Sequence, residues 1–116
     1  GLAPNVESVT ALVHKYGGIA CWDCAALAAH RRIDFNPSLK PECAADFAFV
    51  SPHKLLGGPG TPGILLAKKK LLTNATPAVP AGGVVYYVSG DGSHSYIQNG
   101  EEREEAGTPD IVGCIR

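Results

Sequence analysis

Two short, wholly apolar runs constrain this 116-residue chain more than anything else in it. Ile19-Ala20-Cys21-Trp22 closes on the charged Asp23, and Phe47-Ala48-Phe49-Val50 closes on the polar group Ser51-Pro52-His53-Lys54. Continuous apolar runs of this length are what strands buried on both faces show, and such strands belong to parallel sheets covered by helices. Residues 5–16 place Val6, Val9, Val13 and Tyr16 on one helical stripe, with Asn5 to cap its start and Gly17-Gly18 to end it. Residues 25–30, rich in alanine, predict a short helix, which the turn chemistry of Asp34-Phe35-Asn36-Pro37 and Pro41 breaks. The glycine- and proline-rich residues 57–63 predict a loop leading into a strand Ile64-Leu65-Leu66-Ala67. Beyond Leu72 a strand is expected over 84–88, then a polar loop through Gly100, then a helix capped by Thr108 with Pro109 at its first position. The fold class read from this order is α/β, a mostly parallel sheet with flanking helices.

Composition narrows the function classes. With 45% hydrophobic residues, 18% charged residues and a net charge of -1, nothing here attracts nucleic acid, and Lys68-Lys69-Lys70 reads as the solvated end of a strand. No apolar run approaches the roughly 18 residues of a membrane span, and no signal core opens the chain. The expected setting is cytoplasmic, with an organelle as the alternative. Four cysteines, at 21, 24, 43 and 114, do not form a dense disulfide framework and are read as reduced. The chain begins at Gly1, contains no methionine and stops at Arg116 just as a helix is expected, so it reads as a piece of something longer.

The candidate chemistry sits where the two runs end. In open α/β sheets ligands bind at the carboxyl ends of the strands, which here carry Asp23 and residues 51–54. An aspartate closing an apolar strand needs a cation, a metal, donors or water, and a protonated heterocycle would serve. Lys54 follows an apolar strand and precedes a glycine-rich loop; if desolvated, its amine would be a neutral nucleophile able to form an imine with an aldehyde cofactor. Ser51 and His53 can both donate to a phosphate. The rival reading from another class is a dithiol or metal site on Cys21-Trp22-Asp23-Cys24, although Cys43 and Cys114 are solitary and complete no tetrahedral set. In isolation Asp23 could also be a helix cap, and Arg103, set among acids, reads as a structural ion-pair partner.

Ser51-Pro52-His53-Lys54 followed by Gly57-Gly58-Pro59-Gly60-Thr61-Pro62-Gly63-Ile64-Leu65 resembles the lysine segment of class V aminotransferases, the group that includes the cysteine desulfurases. Trp22-Asp23-Cys24-Ala25-Ala26 looks like that family's strand-end aspartate segment, Pro80-Ala81-Gly82-Gly83 like its glycine turn, and Arg103-Glu104-Glu105-Ala106-Gly107-Thr108-Pro109 like its motif before a later helix. The resemblance implies a partial large domain of the fold type I pyridoxal-phosphate transferases, with the upstream part and the C-terminal small domain absent. It implies an antiparallel strand after the lysine loop. It also implies pyridoxal 5'-phosphate as cofactor, Lys54 as the Schiff-base lysine, Asp23 on the pyridine nitrogen, and Ser51 and His53 on the phosphate. The implied reaction is transamination or cysteine desulfuration of a small amino-acid substrate by a homodimer. Two positions depart from the family pattern: Ala26 stands where many relatives have glutamine, and Val84 follows the glycine turn where many have a third glycine and a hydroxyl residue. A catalytically inactive scaffold relative would show the same middle segment.

Overall fold

The computed structural model describes residues 2–37, 39–56 and 58–116. It divides into two compact units, Gly1–Ala67 and Lys68–Arg116.

In the first unit, α1 spans Val6–Lys15. The Asn5 carboxamide accepts the Ser8 N–H at 3.0 Å, which satisfies one of the orphan amides of the first turn. Gly17, at φ 73°, ends the helix in the left-handed region that other residues enter only at a cost. The predicted stripe is rotated, however. Val9 and Tyr16 are exposed, whereas Thr10 is completely buried. The reason is polar: Thr10 Oγ1 accepts the indole N–H of Trp22 at 2.9 Å. One turn on, His14 Nδ1–H donates to the Glu42 carbonyl at 2.6 Å, and its Nε2 lies 2.7 Å from the Asp46 carboxylate. Hydrogen bonds, rather than a valine ridge, orient this helix.

Strand β1 is Cys21–Asp23, β2 is Phe47–Val50 and β3 is Ile64–Ala67, arranged in the order β1-β2-β3 among the described residues. β1 pairs parallel with β2 in the register Cys21↔Phe47, Trp22↔Ala48, Asp23↔Phe49. β3 pairs antiparallel with β2, with Phe49 opposite Leu65, as expected for the strand after the lysine loop. The sheet is therefore mixed and the α/β class stands. Burial departs from expectation. Strands pleat, so Cys21, Asp23, Phe49 and Leu65 share one face and Trp22, Ala48 and Leu66 the other. Trp22 meets α1 and Ala48 is 1% exposed, but Cys21, Phe49 and Leu65 lie open. β1 and β2 are not buried on both faces, because only one face is packed within these residues. The alanine-rich stretch also falls short of a helix: it makes one 3-10 turn, Leu27–Ala29, too little to repay the cost of nucleating a helix.

In the second unit, β4 (Val85–Val88) pairs antiparallel with β5 (His94–Tyr96). Helix α2 covers Gly100–Glu104 and α3 covers Ile111–Ile115. β5 lies where a polar loop through Gly100 is expected from the sequence, and α2 starts at that residue and runs into the charged segment after it. The last helix is capped by Asp110, whose Oδ1 accepts the Gly113 N–H at 3.0 Å. Thr108 is not its cap, since Pro109 biases the preceding residue towards extended backbone and the next acceptor side chain takes the role. Val84 is fully buried and Arg103 is 7% exposed. Among the described residues Arg103 forms no ion pair; its Nη1 instead donates to the carbonyls of Ile97 and Gln98 at 2.9 and 3.1 Å. Among the described residues, no helix is long and apolar enough to cross a membrane.

Candidate functional site

Parallel pairing of β1 with β2 sets the carboxyl ends of the two strands side by side. Asp23, the last residue of β1, is the register partner of Phe49, and Cys24 N–H still bonds the Phe49 carbonyl at 2.8 Å. From Val50 the chain passes through Ser51 into the 3-10 turn Pro52–Lys54, closed by Lys54 N–H to the Ser51 carbonyl at 3.1 Å and Leu55 N–H to the Pro52 carbonyl at 2.8 Å. Proline at the first position of that turn has no amide to leave unpaired and a φ already suited to it. The local sequence thus forces the backbone to turn within three residues of the strand end. The four predicted residues, Asp23, Ser51, His53 and Lys54, accordingly leave two adjacent strand ends.

Their electrostatics differ from the sequence expectation. Asp23 is exposed and not buried; its Oδ1 accepts the Ala25 N–H at 2.9 Å, a local turn of the capping kind. Its second oxygen has no protein partner among the described residues. Lys54 and His53 are also exposed, and Ser51 is half-buried. The desolvation expected for Lys54 is not supplied within these residues, because β1 is an edge strand and one sheet face is bare.

The rival site loses ground on geometry. Cys21 is exposed while Cys24 is 2% exposed, and burial, reinforced by Asp23, pushes the Cys24 thiol up from its ordinary value, away from the thiolate that redox chemistry or metal ligation needs. Among the described residues no three His, Cys, Asp or Glu side chains cluster to hold a metal.

In the second unit the other two motifs meet each other. Gly107 N–H donates to the Gly82 carbonyl at 2.8 Å, which ties the glycine turn to the segment after α2. Two features of the first unit have little trace in the sequence. One is the grip of His14 and Asp46 beneath β1, whose only signal was a charge set directly before an apolar strand. The other is the internal bonding of residues 58–61, signalled by a hydroxyl three residues after a glycine.

A family model described as Aminotransferase class-V matches residues 1–116. A probable cysteine desulfurase of Aeropyrum pernix is 32% identical over 99% of this chain and 27% of its own length. One from Xylella fastidiosa is 36% identical over 99% of this chain and 26% of its own. The crystal structure of the cysteine desulfurase CsdA from Escherichia coli superposes with a TM-score of 0.82 at 32% identity, covering 99% of this chain and 27% of that one. The chain thus spans about a quarter of the length of these relatives.

Proposed function

The chain belongs to the class V aminotransferase family, and from that premise we propose that it is the lysine-bearing segment of a pyridoxal-phosphate enzyme acting on a small amino acid. The observation that carries this reading is the parallel register of β1 and β2, which sets the Asp23 end of one strand beside the end that runs into Lys54. The donor set suits the cofactor. The side chains of Ser51, His53 and Lys54 have no protein partner among the described residues, and Asp23 keeps one carboxylate oxygen free. An acceptor on one strand end and three donors on the next match a protonated ring nitrogen, a phosphate and an aldehyde carried on one flat molecule.

When bound, pyridoxal phosphate supplies an aldehyde that takes up amines and a ring that draws electrons from the substrate's α-carbon. Asp23 would hold the proton on the ring nitrogen, since a neighbouring carboxylate favours the charged form. Ser51 and His53 would donate to the phosphate. Lys54 would anchor the aldehyde carbon and, when free, move a proton at the substrate's α-carbon. Cysteine desulfuration is the favoured reaction, because the similar proteins described above are named cysteine desulfurases; transamination is the alternative within the family. In this reading residues 1–116 form part of one cofactor-binding large domain of a longer chain that acts as a cytoplasmic homodimer.

Adding pyridoxal phosphate to the full protein that carries this chain should produce a visible absorption band that Lys54→Ala abolishes. A band of unchanged intensity in the variant would remove Lys54 from the chemistry.

A further inference from the structure

Among the described residues of the loop after Lys54, closed turns follow one another, and the buried Gly58 joins them. Gly58 N–H donates to the Leu55 carbonyl at 3.1 Å, and the Gly58 carbonyl in turn accepts both the Thr61 N–H at 3.0 Å and the Thr61 hydroxyl at 2.7 Å. These bonds continue directly from the two that close the Lys54 turn. Gly58 is buried, while residues 53–56, 59 and 60 around it are exposed. A Cβ at residue 58 would overlap the Pro52 carbonyl oxygen and stand 2.8 Å from the Pro52 carbonyl carbon and 2.9 Å from His53 Cα. The Pro52 carbonyl is the group that accepts the Leu55 N–H and closes the turn. Glycine is required here for space rather than for an unusual dihedral, since φ at Gly58 is not positive.

We infer that Gly58, held in place by Thr61, is a positioning residue: its bare backbone backs the turn from which His53 and Lys54 emerge. This inference rests on the reading of Lys54 as the anchoring amine. Any side chain at 58 pushes the Pro52 carbonyl away, opens the Leu55 bond and moves Lys54 relative to the end of β1. Thr61 acts through the same carbonyl, since losing its hydroxyl leaves Gly58 held by one donor instead of two.

The test uses the full protein with pyridoxal phosphate, fixing the attached cofactor with borohydride and reading the pyridoxyl-phosphate label on the peptide that contains Lys54 by mass spectrometry. Amide hydrogen exchange is followed in parallel. Wild type and Thr61→Ser should label Lys54 alike. Labelling should fall roughly tenfold or more in Gly58→Ala and by about threefold in Thr61→Val, because ångström-scale misplacement of a reacting group costs up to about a hundredfold. In both impaired variants the Leu55 amide should exchange faster, with the Ala20 and Cys24 amides unchanged. Wild-type labelling that persists in Gly58→Ala with an undisturbed Leu55 amide overturns the inference and leaves the function reading intact. Absence of label on Lys54 in the wild type overturns the function reading, and this inference with it. If Gly58→Ala does not fold, the Thr61 pair decides: loss in valine but not in serine supports the clamp, and equal labelling sinks it.

Discussion

Asp46 shows how much of this structure rests on single polar side chains. It is 6% exposed, and its Oδ2 takes the Ala20 N–H at 2.9 Å as well as facing His14 at 2.7 Å. That one atom joins the residue before β1, the residue before β2 and the last turn of α1. Removing it leaves a buried amide without an acceptor, and a hydrogen bond to a charged acceptor is worth about 2 kcal/mol. Asp46→Ala should therefore speed exchange at the Ala20 amide by about thirtyfold, provided that amide opens locally. Unchanged exchange would show that water replaces the carboxylate. None of this was legible in the sequence, where His14 and Asp46 stand 32 residues apart and no spacing ties one to the other. That Asp23 and residues 51–54 leave two neighbouring strand ends was legible, because the end of a strand depends on order along the chain, which sequence displays. Their exposure was not, because burial depends on what covers the sheet.

Among the elements, the β4–β5 hairpin gives the clearest prediction. Its turn is held by Asp91, whose Oδ1 accepts the Ser93 N–H at 2.9 Å and the Ser93 hydroxyl at 2.7 Å, with Gly92 at φ 88°. Those bonds, the Ser93 backbone amide first, hold the Asp91 carboxyl below its ordinary value of 3.8. A carboxyl depressed on folding stabilises the fold fully above its unfolded value and loses that contribution as pH falls through its lower folded value. The hairpin should thus be unaffected from pH 5 upwards and loosen below about pH 4, read from exchange of the Ser93 and Ile97 amides, and Asp91→Ala should remove the pH dependence. Persistence of the dependence in that variant would assign it to another carboxylate. Element by element, α1 could be read from its ends, the Asn5 cap and Gly17, and β2, β3 and β4 because each carries an apolar run of its own. β5 could not, since His94-Ser95-Tyr96 has no run of its own and is a strand only because β4 lies beside it. The same holds for α2, whose five residues are fixed by the Asn99 cap and the buried Arg103 rather than by propensity.

At the scale of the whole chain, what matters is how little the first unit buries. Among the described residues its buried apolar side chains are Ala20, Cys24, Cys43, Ala44, Ala45 and Ala48, all small, whereas Phe49 and Leu65, paired across β2 and β3, are 48% and 53% exposed. Fully burying a large apolar side chain is worth about 1.5–3 kcal/mol, so the side chains able to contribute most contribute least here. A contiguous apolar face of this kind on an isolated chain binds dyes or other copies of itself. Residues 1–116 produced alone should therefore bind a hydrophobic dye and elute as more than a monomer, and Phe49→Gln with Leu65→Gln should reduce both effects. If the segment belongs to a larger domain that covers this face, the same pair in the full protein should act in the opposite direction. It would there place two amides in an apolar contact and lower stability by about 2 kcal/mol or more for each. The sign of the effect in the full protein is the decisive reading: a pair that is harmless in both settings would mean that the face is exposed in the working molecule.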